Sequence, residues 1–76
     1  MTNRLMIEAY LERVDQVAAT VGLTRTQIAE QAPLPTDRLM RVLDGHAWPC
    51  PREQRAIATT LGVLPQQLIP DPSEVG

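Results

Sequence analysis

Apolar residues recur along this chain at spacings of three and four, in runs that glycine and proline interrupt, and no stretch alternates as a strand would. Ile7, Leu11, Val14, Ala18 and Val21 fall on one face of a first helix predicted over 2–21, with Thr2 or Asn3 as cap and Gly22 as its left-handed stop. Leu5, Met6, Tyr10 and Val17 give that helix a second, partly exposed apolar flank. A second helix begins at the cap Thr24 and turns Ile28, Ala29 and Ala32 to one side, until Pro33, Leu34 and Pro35 break it. Thr36 or Pro35 opens a third, in which Leu39, Val42 and Leu43 share a face and Gly45 is the stop. Pro51 suits the first position of a fourth, with Glu53 in its first turn, Ile57, Ala58 and Leu61 on its apolar face and Gly62 at its end. Pro65 opens a short fifth helix, anchored by Leu68 and Ile69 and ended by Pro70 and Pro72. The pattern predicts an all-α, compact five-helix domain over 1–70 and a mobile tail over 71–76.

Two prolines around Leu34 cannot sit inside a helix, but they can form a corner, and helices joined by so short a corner must cross steeply. The small Ala29 marks where the later helix approaches, and Leu39, ten residues on, fills the crossing. The outward face then carries Asp37, Arg41 and Asp44, with Arg38 and Met40 on its flanks. Such a pair has the geometry of a helix-turn-helix, here the second and third helices, whose later member enters the DNA major groove.

Composition narrows the alternatives. A 76-residue chain buries only about 60% of its unfolded surface, enough for one modest core. With one Trp, one Tyr and no Phe, that core must be aliphatic. The net charge of -2 argues against indiscriminate nucleic-acid binding, which draws its affinity from phosphate neutralisation. From Thr24 to Arg55, however, five Arg stand against four acids, a net of +1, and the excess acid lies in the first helix and the tail. The single Cys50 allows neither an internal disulfide nor a zinc cluster. With no apolar run long enough to span a membrane and no signal-peptide pattern, the expected compartment is the cytoplasm.

At this point the chain resembles the Cro and phage-repressor type of helix-turn-helix, the XRE family. The match is carried by Ile28-Ala29, by Leu39, by Gly45 with Pro49 four residues later, and by the closing run from Ile57 to Ile69. It covers roughly residues 11–69. The resemblance implies a five-helix lambda-repressor-like fold and a sequence-specific transcriptional regulator, expected to act as a repressor that binds a palindromic operator as a homodimer. It implies base contacts from Thr36, Asp37 and Arg41, and DNA backbone contacts from Arg25, Arg38 and His46. Trp48 shares the loop with His46. Three departures stand out: Pro33 where relatives usually have a glycine, which implies a rearranged corner, Leu43 where many have a Glu paired to the first helix at the position of Ala18, and Gln54 where an apolar residue is common. The last implies a less tightly docked fourth helix.

Each candidate also has a plainer reading. Arg41 suits a bidentate contact to guanine, worth about 1–3 kcal/mol of discrimination, or an i,i+4 pair with Asp37 worth about 0.3–0.5 kcal/mol. Thr36 is equally a helix cap, Arg25 an ordinary exposed arginine, Trp48 a core or loop anchor, His46 a solvated loop residue and Cys50 a small buried or half-buried side chain. No enzyme is expected, since a lone His near a lone Cys in one loop is not a held nucleophile and base. No cofactor or metal is expected, and double-stranded DNA and a second copy of the chain are the expected partners. A second class, a protein-interaction module on the same fold such as an antitoxin or adaptor, is favoured by the acidic balance and the apolar flank Leu5, Met6 and Tyr10. That flank and the region Leu64 to Ile69 are the two candidate dimer surfaces.

Overall fold

Local chemistry marks most helix boundaries in the computed structural model, which describes residues 4–71. The helix α1 (Arg4–Val21) ends at Gly22, whose φ of 76° lets Leu23 N donate back to the Ala18 carbonyl at 2.9 Å. In α2 (Arg25–Gln31), Thr24 accepts from Gln27 N while the Gln27 side chain accepts from Thr24 N, a reciprocal capping box. α3 (Thr36–Leu43) stops at Gly45 (φ 84°), with His46 N donating to Arg41 O at 2.9 Å. α4 (Pro51–Leu61) starts on Pro51, and the Glu53 carboxylate accepts from Cys50 N at 2.8 Å. The cap expected at Thr2 or Asn3 lies outside the described residues, as does the tail beyond Asp71.

The corner between α2 and α3 is tight and stays at negative φ throughout. Leu34 N donates to Ala32 O at 2.9 Å across Pro33, and Ala32 (φ -71°) and Pro35 (φ -55°) are extended on either side. Among the described residues only Gly22, Gly45 and Gly62 have positive φ. Proline therefore fits where a glycine-type turn would have needed the left-handed region.

The structure is all-helical, with four α-helices among the described residues, so the expected five-helix count is corrected. Pro65–Gln67 forms one 3-10 turn, closed by Gln67 N to Leu64 O at 3.0 Å and Leu68 N to Pro65 O at 3.1 Å. Pro70 biases Ile69 before it away from the α region, so the segment stops after a single turn. Its anchor survives the correction, because Leu68 is fully buried. Arg13 on α1 donates to the carbonyls of Gln67 and Ile69 and draws this segment onto the first helix.

Ile28, Ala29, Leu39, Leu43, Ile57, Ala58 and Leu68 are completely inaccessible, and with Tyr10, Val14, Ala18, Val42 and Leu61 they make one continuous core. α2 and α3 form the most extensive helix pair, and α4 closes the core from the side of α2. The Gln54 side chain donates to Pro49 O at 3.0 Å, so its polarity is satisfied at the helix start, and α4 buries Ala56, Ile57, Ala58 and Leu61 regardless.

Two expectations for α1 are corrected. Val21 is 48% exposed, because Gly22 reverses the chain and Leu23 turns onto the core in its place. Tyr10 is not on an exposed flank but 1% exposed, under the loop that carries Trp48, whose ring centroid is 5.5 Å from its own at 57°. The apolar stripe of α1 is thus wider than one line of residues, as a helix covered by several neighbours requires. No helix among the described residues is long and apolar enough to cross a membrane.

Leu39→Ala is expected to lower stability by about 2–5 kcal/mol through the cavity it leaves, and Thr24→Ala by roughly 1 kcal/mol through the lost cap. Denaturant unfolding followed by circular dichroism checks both. A larger loss at Thr24 than at Leu39 would reverse the ranking of burial over capping.

Candidate functional site

α3 is divided sharply between a buried and a solvated face. Leu39, Val42 and Leu43 are at most 1% exposed, whereas Thr36, Asp37, Arg38, Arg41 and Asp44 are exposed and Met40 lies between. Burial of the apolar stripe fixes the rotation of the helix, so the polar side chains point outward by geometry rather than by their own interactions. Asp37 in the first turn and Arg41 in the last also oppose the helix dipole favourably.

The sequence-expected candidates Thr36, Asp37 and Arg41 share this face. Thr36 is the first residue of α3, the cap position belongs to Pro35, and no side chain caps the helix; its hydroxyl has no capping duty. Arg41 has no ion pair among the described residues, Asp37 included, so the plainer i,i+4 pairing does not form. A solvated guanidinium and a solvated carboxylate remain on one helix face with their hydrogen-bonding capacity open to a ligand.

Arg38 is 63% exposed at its side chain and lies 3.7 Å from the Glu53 carboxylate, a charge contact longer than a hydrogen bond. Glu53 itself is only 7% exposed, and its charge is compensated by Cys50 N and Arg38. His46 is exposed directly beyond α3, held there by the backbone bond to Arg41 O. Trp48 is half-buried against the core, as a loop anchor would be.

Arg25 is engaged more deeply than its sequence position suggests. Nε and Nη2 grip both oxygens of Asp15 at 2.9 and 2.7 Å, and Nη1 donates to Leu43 O at 2.8 Å. One guanidinium thus joins α1, the start of α2 and the end of α3. The bond to Asp15 raises its already high pKa further. Asp15 was missed from the sequence, because its partner lies ten residues away across a helix end and no helical spacing relates them. The burial of Glu53 was missed too, although its position three residues after Cys50 signals the capping role.

Tyr10 Oη is buried without a hydrogen-bond partner. Burial first, and the negative Glu53 second, raise its phenol pKa well above the ordinary range. The chain matches no protein-family model, no curated protein and no solved structure.

Tyr10→Phe is expected to raise stability by about 1 kcal/mol, since an unpartnered buried hydroxyl costs about 1–3 kcal/mol of lost hydration. The wild-type protein should also lose stability as pH rises above 10.0, the ordinary tyrosine value. There the unfolded chain ionises while the folded phenol stays neutral; below that value both states hold the proton and the slope vanishes. Denaturant midpoints across that range should show the alkaline decline attributable to this group in the wild type and not in the phenylalanine variant.

Proposed function

We propose that this chain is a sequence-specific, double-stranded DNA-binding transcriptional regulator of the helix-turn-helix type, with α2 and α3 as the motif and α3 as the helix that enters the major groove. The observation that carries the reading is the outward face of α3, where Thr36, Asp37 and an unpaired Arg41 stand on a helix whose opposite side is fully buried. Arg41 reads guanine O6 and N7 bidentately, Asp37 accepts from a cytosine amino group, and Thr36 contributes its hydroxyl at the helix start. Arg38 and His46 follow the phosphate backbone on either side. Arg25, with three N–H groups already engaged, acts mainly by holding the helix pair in its crossing.

In this reading the protein works in the cytoplasm as a repressor on a palindromic operator. One domain of this size touches a short half-site, so specificity comes from two copies spaced about 34 Å along the duplex. Burial of Tyr10 removes the ring from the first candidate dimer flank, whereas Leu64 is 58% exposed beside half-buried Ile69 and suits the contact better.

Selection of bound sites from a random DNA pool at physiological salt should return an inverted repeat. Arg41→Ala is expected to cost about 1–3 kcal/mol and to relax preference at one base pair per half-site. Arg38→Ala should instead weaken all sequences alike and reduce the salt dependence by roughly one unit of slope. A folded protein that enriches no sequence from the pool would end the reading.

A further inference from the structure

Away from the outward face of α3, a groove of about 340 Å³ lies between the α2–α3 corner and α4. Pro33, Leu34 and Ala56 form its apolar floor, Thr59 adds a hydroxyl, and Arg52 and Arg55 supply two guanidinium groups. The four α4 residues fall at i, i+3, i+4 and i+7, which is one stripe of a helix. Arg52, Arg55 and Thr59 are exposed, and neither arginine has an ion pair or hydrogen bond among the described residues. Arg4, Arg25 and Arg38 contrast with them, each having a carboxylate partner in Glu8, Asp15 and Glu53. The groove therefore presents two cations beside apolar surface with their complement missing.

We propose that this groove docks an acidic peptide segment of a partner protein, with one aliphatic or aromatic side chain over Pro33, Leu34 and Ala56 and flanking Asp or Glu carboxylates on Arg52 and Arg55. Charge complementarity selects the occupant: guanidinium groups take carboxylates bidentately, and these two lie less than one helical turn apart. The apolar floor separates a peptide from a nucleic-acid backbone, which needs cations but offers little aliphatic surface to fill such space. Pro33 and Pro35 fix their own φ angles, so the corner side of the groove is preformed and binding loses little backbone freedom there. None of Thr36, Asp37 or Arg41 lines the groove, and the proposal stands or falls independently of DNA binding.

The test is selection of random displayed peptides on the full chain, followed by calorimetric titration of the enriched peptide, synthesised alone. Enriched sequences are expected to set acidic residues around a single large apolar one. The double variant Arg52→Glu/Arg55→Glu, checked for an unchanged helical spectrum, should bind at least about tenfold more weakly, the loss of a charge-assisted hydrogen bond or more. Arg52→Lys/Arg55→Lys should restore part of the affinity, because charge returns without the bidentate fork. Enrichment of peptides without acidic residues, or binding indifferent to the charge reversal, overturns the proposal. Self-association of the protein that the charge reversal abolishes, with no peptide enriched, assigns the groove to a second copy and overturns it as well. Loss of DNA affinity on charge reversal without any peptide binding assigns it to phosphate and does the same.

Discussion

Two helices of seven and eight residues, α2 and α3, have to exist before any surface they carry can matter. Isolated helices of that length are marginal in water, since nucleation costs more than so few hydrogen bonds return. Their persistence depends on burial of Ile28 and Ala29 on one and Leu39, Val42 and Leu43 on the other, all at most 1% exposed. Capping adds to this at Thr24, and the Arg25 guanidinium binds the ensemble to α1 through Asp15 and to the end of α3 through the Leu43 carbonyl. That ion pair is partly solvated, so its own contribution is small. Its value lies in direction, because a planar fork bonded to both Asp15 and the Leu43 carbonyl favours one relative orientation of the three helices.

Boundaries set by backbone chemistry were legible in the sequence, and features set by distant partners were not. Gly22, Gly45 and Gly62 stop helices because each occupies the left-handed region, and Pro33 to Pro35 break the chain because neither proline can continue a helix; these are properties of single residues. The buried face of α3 followed from spacing alone. Tyr10 was misplaced because helical spacing says which residues share a face but not which neighbour covers it, and the cover here is a loop. The fifth helix was overcounted because an apolar anchor and a proline start look alike in a helix and in a 3-10 turn, and the restriction that Pro70 places on the Ile69 backbone leaves room for only one turn. In the candidate site, the exposure of Thr36, Asp37 and Arg41 could be read from the pattern, while the commitment of Arg25 to Asp15 required the third dimension.

Charge distribution separates two surfaces on this small molecule. On α3 the cation Arg41 shares its face with Asp37 and Asp44, a mixed pattern suited to discriminating among hydrogen-bonding partners. On α4, Arg52 and Arg55 stand over apolar ground. The corner residues Pro33 and Leu34 border the second surface and lead directly into the first, so the same rigid turn sets the position of both.

The contact between Tyr10 and Trp48 gives the molecule a built-in optical reporter. Each is the sole residue of its type in the chain, and their rings are 5.5 Å apart, one on α1 and the other in the loop that follows α3. Energy absorbed by the phenol passes to the indole with an efficiency that falls steeply with their separation, and the half-buried indole meets more water once that loop leaves the first helix. The emission of a single tryptophan therefore records the closure of the fold at the segment adjoining α3, without any label attached.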